Sequence, residues 1–307
     1  MKLLKVKFVL LLSCFLGLNG CLESEVQTTL FDSMQEDTRL SSFLEAMQLA
    51  GYDNALKNGN PITVFAPTND AFQTYLSANN YSSLGDIPIG ELRNLMLYHV
   101  LGTATTMASL GTNYYLTPSP AGPDNRVVAI YVKNDNGTHT LNSTSQVLEK
   151  DMGTFGGFYN IIDEVLRIPN VYNILEDNDV FSLILEGVNN LPELADKFKD
   201  EDLYTFFAIG NEALETNLME TFNVNSLNGL EEAVRNDLLR SHVVDSFYTA
   251  QELLDPFLGD LNSLREGYII RSQNSARIVL NDSAEVIIGN IQTTNGVIHV
   301  VNRLLPQ

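Results

Sequence analysis

Two stretches of the chain show the same change in hydrophobic periodicity. Residues 62–66 read ITVFA, a run of apolar and β-branched residues that is typical of a buried strand, and the apolar pattern resumes at a different spacing after Pro67. Residues 204–208 read YTFFA and lead into NEAL at 211–214. Both stretches therefore predict a strand that turns a corner into a helix.

The residues at these corners have structural uses. Pro67 has no backbone N–H and restricts the residue before it to extended geometry, so we expect the strand to end there. Asn69 is predicted to be the N-cap of the following helix, and Asp70 an acid at its positive end. Asn211 and Glu212 occupy the same places at the second corner and carry the same predictions. We interpret both corners as structural motifs and not as active-site loops.

Two further blocks repeat in the same order. LRNLMLYHVL ends at Leu101 and RNDLLRSHVV ends at Val244, which aligns His99 with His242. GFYNIIDEVL at 157–166 matches GVIHVVNRLL at 296–305. Three blocks over a period much longer than a solenoid repeat indicate two copies of one whole domain.

The histidines and the last block have structural interpretations as well. His99 and His242 each close a segment with helical apolar spacing, where a histidine can bond the last carbonyl groups of a helix. Asn295 and Gly296 predict a hairpin turn between two β-branched strands. His299 lies within the second of these strands and is predicted to be a core or rim residue, not a metal ligand.

Together these blocks resemble the signature of the fasciclin-like domain, in particular TVFAPTNDAF, the Tyr-His-Val that follows it and the closing NGVIHVVNRLL. The resemblance implies an α+β fold class with two tandem domains, each a β-wedge or sandwich with surrounding helices. These domains would occupy residues 26–168 and 169–307. The second copy departs from the family pattern in having Ile209 and Gly210 in place of Pro-Thr.

The resemblance also implies a function in adhesion. In animal adhesion proteins of this family a Tyr-His pair is linked to integrin binding, and Tyr98–His99 matches it, whereas Ser241–His242 does not. Tyr98 and His99 are therefore candidate binding residues, beside the structural role expected for the histidine.

The N-terminus has the features of a bacterial lipoprotein precursor. Lysines at positions 2, 5 and 7 precede an apolar run, and the stretch closes on LNGC at 18–21. This pattern predicts a signal peptide over 1–20, a lipid anchor on Cys21, an acidic tether over 21–25 and a location at the outer membrane, on the cell surface. An ordinary cleaved signal with a chance cysteine and an uncleaved anchor helix are the alternatives.

Composition narrows the range of partners. The chain carries 38 acidic and 18 basic residues, a net charge of −20, so nucleic acid and anionic membrane surfaces would be repelled. Cys14 and Cys21 are the 2 cysteines, and loss of Cys14 with the signal would leave no pair for a disulfide. Stability must then come from the packing of two apolar cores.

The sequence carries no recognisable catalytic or metal-binding pattern. Its 4 histidines are widely spread without metal-ligand spacing, and it has neither a nucleophile elbow nor a phosphate loop. We therefore predict no enzyme activity, no metal and no cofactor.

One segment has the composition of a binding loop. Residues 111–126 contain three prolines and two glycines together with Tyr114 and Tyr115, which would suit protein contacts or stacking on sugar rings if exposed. Packing of both tyrosines on their own domain is the alternative.

These features predict a non-enzymatic lipoprotein for cell-surface adhesion or ligand binding, whose partner is a surface protein or a polysaccharide. The alternative is a glycan-binding accessory of an outer-membrane polysaccharide uptake system, with or without hydrolase activity. Exposed apolar patches would favour adhesion. Two carboxylates at catalytic separation beneath aromatic rings would favour the alternative.

Overall fold

The computed structural model describes residues 27–200, 202–273 and 277–306. The predicted signal peptide, the tether and Cys21 lie outside these ranges. The helices are α1 (Leu30–Glu36), α2 (Ser41–Ala50), α3 (Asp53–Lys57), α4 (Asn69–Ala78), α5 (Ile89–Tyr98), α6 (Val171–Glu176), α7 (Ser182–Asn189), α8 (Pro192–Lys197), α9 (Asn211–Phe222), α10 (Glu232–Ser241) and α11 (Ala250–Leu253). The strands are β1 (Ile62–Pro67), β2 (Val100–Leu101), β3 (Asn113–Leu116), β4 (Ala129–Asp135), β5 (Thr138–Leu141), β6 (Ser145–Thr154), β7 (Gly157–Ile162), β8 (Tyr204–Ile209), β9 (Val243–Val244), β10 (Leu261–Asn262), β11 (Ile269–Ile270), β12 (Ser272–Gln273), β13 (Val279–Leu280), β14 (Ala284–Gln292) and β15 (Gly296–Val301).

The two halves of the chain share a common order of their main strands but differ in the number of strands. The first contains a seven-stranded sheet of order β2-β1-β7-β6-β5-β4-β3, in which β1 and β7 are parallel. The second contains a six-stranded sheet of order β12-β13-β14-β15-β8-β9, in which β8 and β15 are parallel, and a two-stranded sheet of β10 and β11. The parallel pair joins the first sequence block to the third in each copy. The prediction of two α+β domains is therefore confirmed.

The first strand of the parallel pair in each copy is buried on both faces, which explains its uninterrupted apolar sequence. All six residues of β1 and all six of β8 are buried. In the first domain Val64 packs in a cluster with Phe43 of α2, whereas Phe65 lies in a second cluster with Tyr98 and Ile130. The strand thus lies between a helical layer and the rest of the sheet.

The glycine that opens β7 or β15 permits a close approach between backbones. A Cβ atom on Gly157 would lie 1.9 Å from the carbonyl oxygen of Ile62, and one on Gly296 would lie 2.5 Å from that of Tyr204. Gly157 also has a φ of +136°, which favours glycine. The parallel pairing therefore depends on a residue without a side chain at this position.

The hairpin predicted around Asn295 and Gly296 is present, but these residues do not form the centre of its turn. β14 ends at Gln292 and β15 begins at Gly296. A type I′ turn would need a left-handed backbone at Asn295, which Asn295 does not adopt. The buried Asn295 side chain instead accepts a bond from Val171 N at 2.8 Å and donates to Phe198 O at 2.9 Å. It therefore ties the hairpin to the helical layer.

Within the described ranges, no helix combines the length and the apolar character needed to cross a membrane.

Candidate functional site

His99 and His242 act as buried connectors in the two copies. Each lies directly after its helix, where its Nδ1–H donates to the carbonyl oxygen of the residue four positions earlier, at 2.8 Å in both cases. Each Nε2 accepts from a backbone N–H near the end of its domain, Leu166 at 2.9 Å and Leu305 at 3.0 Å. Burial lowers the pKa of both imidazoles to about 4, so they are neutral at pH 7.

Tyr98 is as deeply buried as its neighbour His99. Its hydroxyl donates to the carbonyl oxygen of Ala129 at 3.0 Å and also contacts the side chain of Asn142. As candidate binding residues, Tyr98 and His99 have no exposed surface with which to contact a partner. The geometry supports the structural interpretation of this pair and corrects the binding one.

Asn69 and Asn211 are not the N-caps of their own helices. Thr68 caps α4 by accepting from Ala71 N at 3.2 Å, and Gly210 precedes α9 without a side-chain cap. Asn69 lies in the first helical position, so its side chain points away from its own free amides and towards another helix. The prediction placed the cap one residue too late in the chain.

Each of these asparagines caps a different helix. The Oδ1 atom of Asn69 accepts from Ser42 N at 2.9 Å, and its Nδ2 donates to Thr38 O at 2.8 Å. The Oδ1 atom of Asn211 accepts from Leu183 N at 3.0 Å, and its Nδ2 donates to Asp179 O at 2.9 Å. The asparagine therefore satisfies a free amide at the start of α2 or α7 and fixes that helix against the corner.

Pro67, Asp70 and Glu212 lie where their structural roles require. Pro67 is the last residue of β1. Asp70 and Glu212 are exposed acids in the first turns of α4 and α9, near the positive end of each helix. The corners thus contain helix-stabilising charges and no enclosed acidic pair.

His299 forms a further internal connection that sequence reasoning did not find. Its Nε2–H donates to Tyr248 O at 2.8 Å, and its Nδ1 accepts from Asn290 N at 3.4 Å. In the first copy Asn160 takes this place and accepts from Asp151 N at 2.9 Å. Burial lowers the pKa of His299 to about 4. The signal was a polar residue inside an apolar strand, at the same position in both copies.

Tyr114 and Tyr115 lie in β3 and not on an exposed loop, which corrects the prediction for this segment. The Tyr114 ring packs against Tyr131 with 4.8 Å between ring centroids, and its hydroxyl accepts from Asn178 Nδ2, in the second domain, at 2.9 Å. Tyr115 packs on the core of its own domain and donates to Gly111 O at 3.2 Å. Both tyrosines are partly buried because β3 lies between the first core and the second domain.

The rest of the proline-rich segment also belongs to the domain interface. The Arg126 guanidinium lies 3.2 Å from a Glu252 carboxylate oxygen and 4.6 Å from the ring centroid of Phe247. Ala129, at the start of β4, is part of the apolar core of the second domain. The segment therefore joins the two domains.

The copies differ at an exposed outer corner beside each strand-to-helix motif. We define each outer corner by three residues. One lies two positions before the first residue of α2 or α7, and the other two belong to the bulge in β6 or β14. These are Arg39, Leu148 and Glu149 in the first domain, and Val180, Ile287 and Ile288 in the second. The first corner holds an ion pair, with Arg39 Nη1 2.6 Å from Glu149 Oε1, whereas the second is aliphatic. Sequence analysis missed these residues because the bulge, which exposes two consecutive side chains, is a tertiary feature.

In the described ranges, no group of three or more His, Cys, Asp or Glu side chains could hold a metal ion. Several surface depressions are present in the part of the chain that the structure describes. The one beside the first outer corner is lined by Arg39, Thr68, Asp70, Leu148 and Asp163 among others. It holds the carboxylates of Asp70 in α4 and of Asp163, which follows β7, but no aromatic ring.

Comparisons with curated proteins show relatives much longer than this chain. Transforming growth factor-beta-induced protein ig-h3 of Sus scrofa is 28% identical over 250 residues, covering 79% of this chain and 34% of that protein. Fasciclin-1 of Drosophila melanogaster is 24% identical over 316 residues, covering 90% of this chain and 44% of that protein. The chain thus spans less than half the length of these relatives.

Among solved structures, the FAS1 domain pair of the insect cell adhesion molecule fasciclin I has the same fold. The two superpose with a TM-score of 0.55 at 20% identity, covering 89% of this chain and 98% of that one. The model of the Fasciclin domain family matches residues 38–169 and again residues 180–307. With the family's blocks in both copies and its fold in both halves, the chain belongs to the Fasciclin domain family.

Proposed function

We propose that this protein is a non-enzymatic adhesion module that binds another protein through its outer surface. The observation that carries the proposal is the contrast between the shared interior and the divergent exterior of the two copies. The buried residues of the repeated motifs are used in internal contacts, whereas the outer corners carry different side chains. A binding protein that keeps one scaffold and varies its surface is expected to look like this.

The likeness to a known adhesion protein supports the proposal. The chain has the fold of a domain pair from the insect cell adhesion molecule fasciclin I. Because the chain spans only part of the length of its curated relatives, their partners are not transferred here. The class of function is transferred, and the partner is left to experiment.

Attachment to the cell surface is part of the same proposal. A diacylated Cys21 would hold the protein at the outer membrane, and the acidic residues after it would extend the domains away from the membrane. Replacement of Cys21 with Ser should move the protein from the membrane fraction to the soluble fraction. Retention of the Cys21→Ser protein in the membrane fraction would contradict the lipid anchor.

The polysaccharide-uptake alternative has less support. It depended on Tyr114 and Tyr115 as a platform for sugar rings, and both tyrosines pack into the protein. Polysaccharide binding therefore serves as a competing outcome of the functional test.

The test is saturation binding of the Cys21→Ser chain to an array that carries extracellular-matrix proteins beside polysaccharides. We expect saturable binding to protein spots that a heat-denatured sample of the same chain lacks. Saturable binding to polysaccharide alone, with no protein signal, would overturn the proposal in favour of the uptake accessory.

A further inference from the structure

We propose that the outer corner of the second domain, formed by Val180, Ile287 and Ile288, docks a basic segment of a partner protein with aliphatic side chains between its lysines or arginines. This inference rests on the proposed function, since it names the surface and the partner chemistry through which the adhesion module would act.

The sheet geometry places two of the three side chains in solvent. The pairing of β14 with β15 shifts register between Val286 and Ile288, so Ile287 is the extra residue of a bulge. A bulge of this kind turns two consecutive side chains to one side of a strand. Ile287 is 58% exposed and Ile288 is 39% exposed, whereas Val286 next to them packs against the core.

Because the fold is duplicated, each residue of this outer corner can be compared with the equivalent residue of the first domain. Glu149 pairs with Ile161 in the first copy as Ile288 pairs with Val300 in the second, so the two residues are equivalent. Arg39 and Val180 are equivalent because each backbone N–H bonds to the residue two positions earlier, Asp37 or Asn178. The second domain therefore has Val180 and Ile288 where the first has an Arg–Glu ion pair.

This exchange leaves aliphatic side chains exposed to water, although the scaffold does not require them. The first domain carries polar groups at these positions with the same backbone, so stability does not demand apolar ones. Val180 is 51% exposed, and its side chain lies beside Gly210 of the strand-to-helix motif. Clustered exposed aliphatic side chains are typical of a contact surface.

The charges around this outer corner determine which sign of charge the partner should carry. Asp179 precedes Val180 and its carboxylate is 97% exposed, with Lys133 of the first domain 3.7 Å away. Glu212 is the equivalent of Asp70, which lines the same depression as Arg39 and Leu148 in the first copy. The chain as a whole carries a charge of −20. A basic partner is attracted to this rim, whereas a second copy of the chain is repelled.

The experiment measures binding of a fluorescein-labelled peptide, KVKIKVKIK, to the Cys21→Ser chain by fluorescence anisotropy. The matched peptides are EVEIEVEIE, which reverses the charge, and KSKSKSKSK, which removes the aliphatic residues. We expect one site per chain for the first peptide and at least tenfold weaker binding of the other two. Equal binding of KSKSKSKSK would overturn the proposal, because charge alone would then account for the affinity.

Matched variants are obtained by exchanging the outer-corner residues between the two domains. Val180→Arg with Ile288→Glu places the ion pair of the first domain on the second, and should weaken binding at least tenfold. Arg39→Val with Glu149→Ile makes the reverse change and should create a second site, raising the stoichiometry from one to two. Leu148→Thr changes an exposed aliphatic residue outside the proposed site and should leave binding unchanged.

Further outcomes separate this inference from the proposed function. If the wild-type chain and the Val180→Arg/Ile288→Glu chain bind the same protein spots of the array equally, the corner is not the site although the adhesive function stands. If neither chain binds any protein spot, the proposed function itself fails. If wild type dimerises in sedimentation and this variant does not, a second copy is the occupant and the proposal is overturned. Equal melting temperatures establish that the variants fold.

Discussion

Asn69 and Asn211 show how one side chain connects elements that are distant in sequence. Each begins a helix, yet each bonds to a free amide of another helix about 30 residues earlier in the chain. The sequence correctly predicted a capping side chain at the corner, because asparagine prefers such places. It did not predict which helix is capped, since the partner is brought close only by the tertiary fold.

We predict that Asn69→Ala lowers the free energy of unfolding by about 1–3 kcal/mol, because the amide of Ser42 and the carbonyl of Thr38 lose their partner. Asn211→Ala should act similarly in the second domain. Asp70→Asn is the control, as an exposed change in the same helical turn that should cost about 0.5 kcal/mol or less. Urea unfolding measures all three variants, and an Asn69→Ala loss no larger than that of Asp70→Asn would contradict the assigned role.

At the scale of elements, the parallel pairs β1–β7 and β8–β15 form the shared frame of the two domains. Their apolar runs and the corners that follow were predictable because they depend on local sequence. The burial of Tyr98, Tyr114 and Tyr115 was not, since a tyrosine has the same sequence signature on a loop as beneath a second domain. The bulge that exposes Ile287 and Ile288 likewise arises from strand pairing and not from the residues alone.

The parallel pairing of β1 with β7 predicts that two glycine substitutions differ sharply in their effect on the melting temperature. Gly157→Ala would place a Cβ atom 1.9 Å from the carbonyl oxygen of Ile62, so β7 must move away from β1 and the melting temperature should fall by several degrees. Gly90 lies in the exposed first turn of α5 with nothing within 4 Å of a Cβ, and Gly90→Ala should leave the melting temperature unchanged or slightly higher. Calorimetry tests the pair, and a Gly157→Ala protein that melts with wild type would show that the close approach is not needed.

For the molecule as a whole, three of the four buried imidazoles make stability depend on pH. The pKa values of His99, His242 and His299 are lowered from 6.5 to about 4 in the folded protein. Above pH 6.5 all three imidazoles are neutral in the folded and the unfolded state, and their contribution to the free energy of unfolding is fully present. Below pH 6.5 these imidazoles bind protons in the unfolded chain but not in the folded one. The free energy of unfolding therefore decreases as the pH falls from 6.5 towards 4.

We therefore predict that the free energy of unfolding falls by roughly 1.4 kcal/mol per pH unit within this window for each of these three histidines. Urea unfolding at pH 7.5, 6.0 and 5.0 measures the slope. His299→Asn, which introduces the residue that the first copy has at position 160, should reduce the slope by about a third. A slope that is unchanged in this variant would show that His299 does not contribute.

Our main conclusion is that the buried residues of the repeated motifs support the fold from inside and do not contact a partner. Its most direct test is a pH titration of histidine side chains by NMR, with ¹⁵N-labelled histidine in the Cys21→Ser chain. We expect the His99 and His242 rings to stay neutral, with protonated Nδ1 and unprotonated Nε2, from pH 8 down to about pH 5. A His99 resonance that titrates near pH 6.5 would place this ring in contact with solvent, contradict its role in the interior and restore Tyr98–His99 as a binding pair.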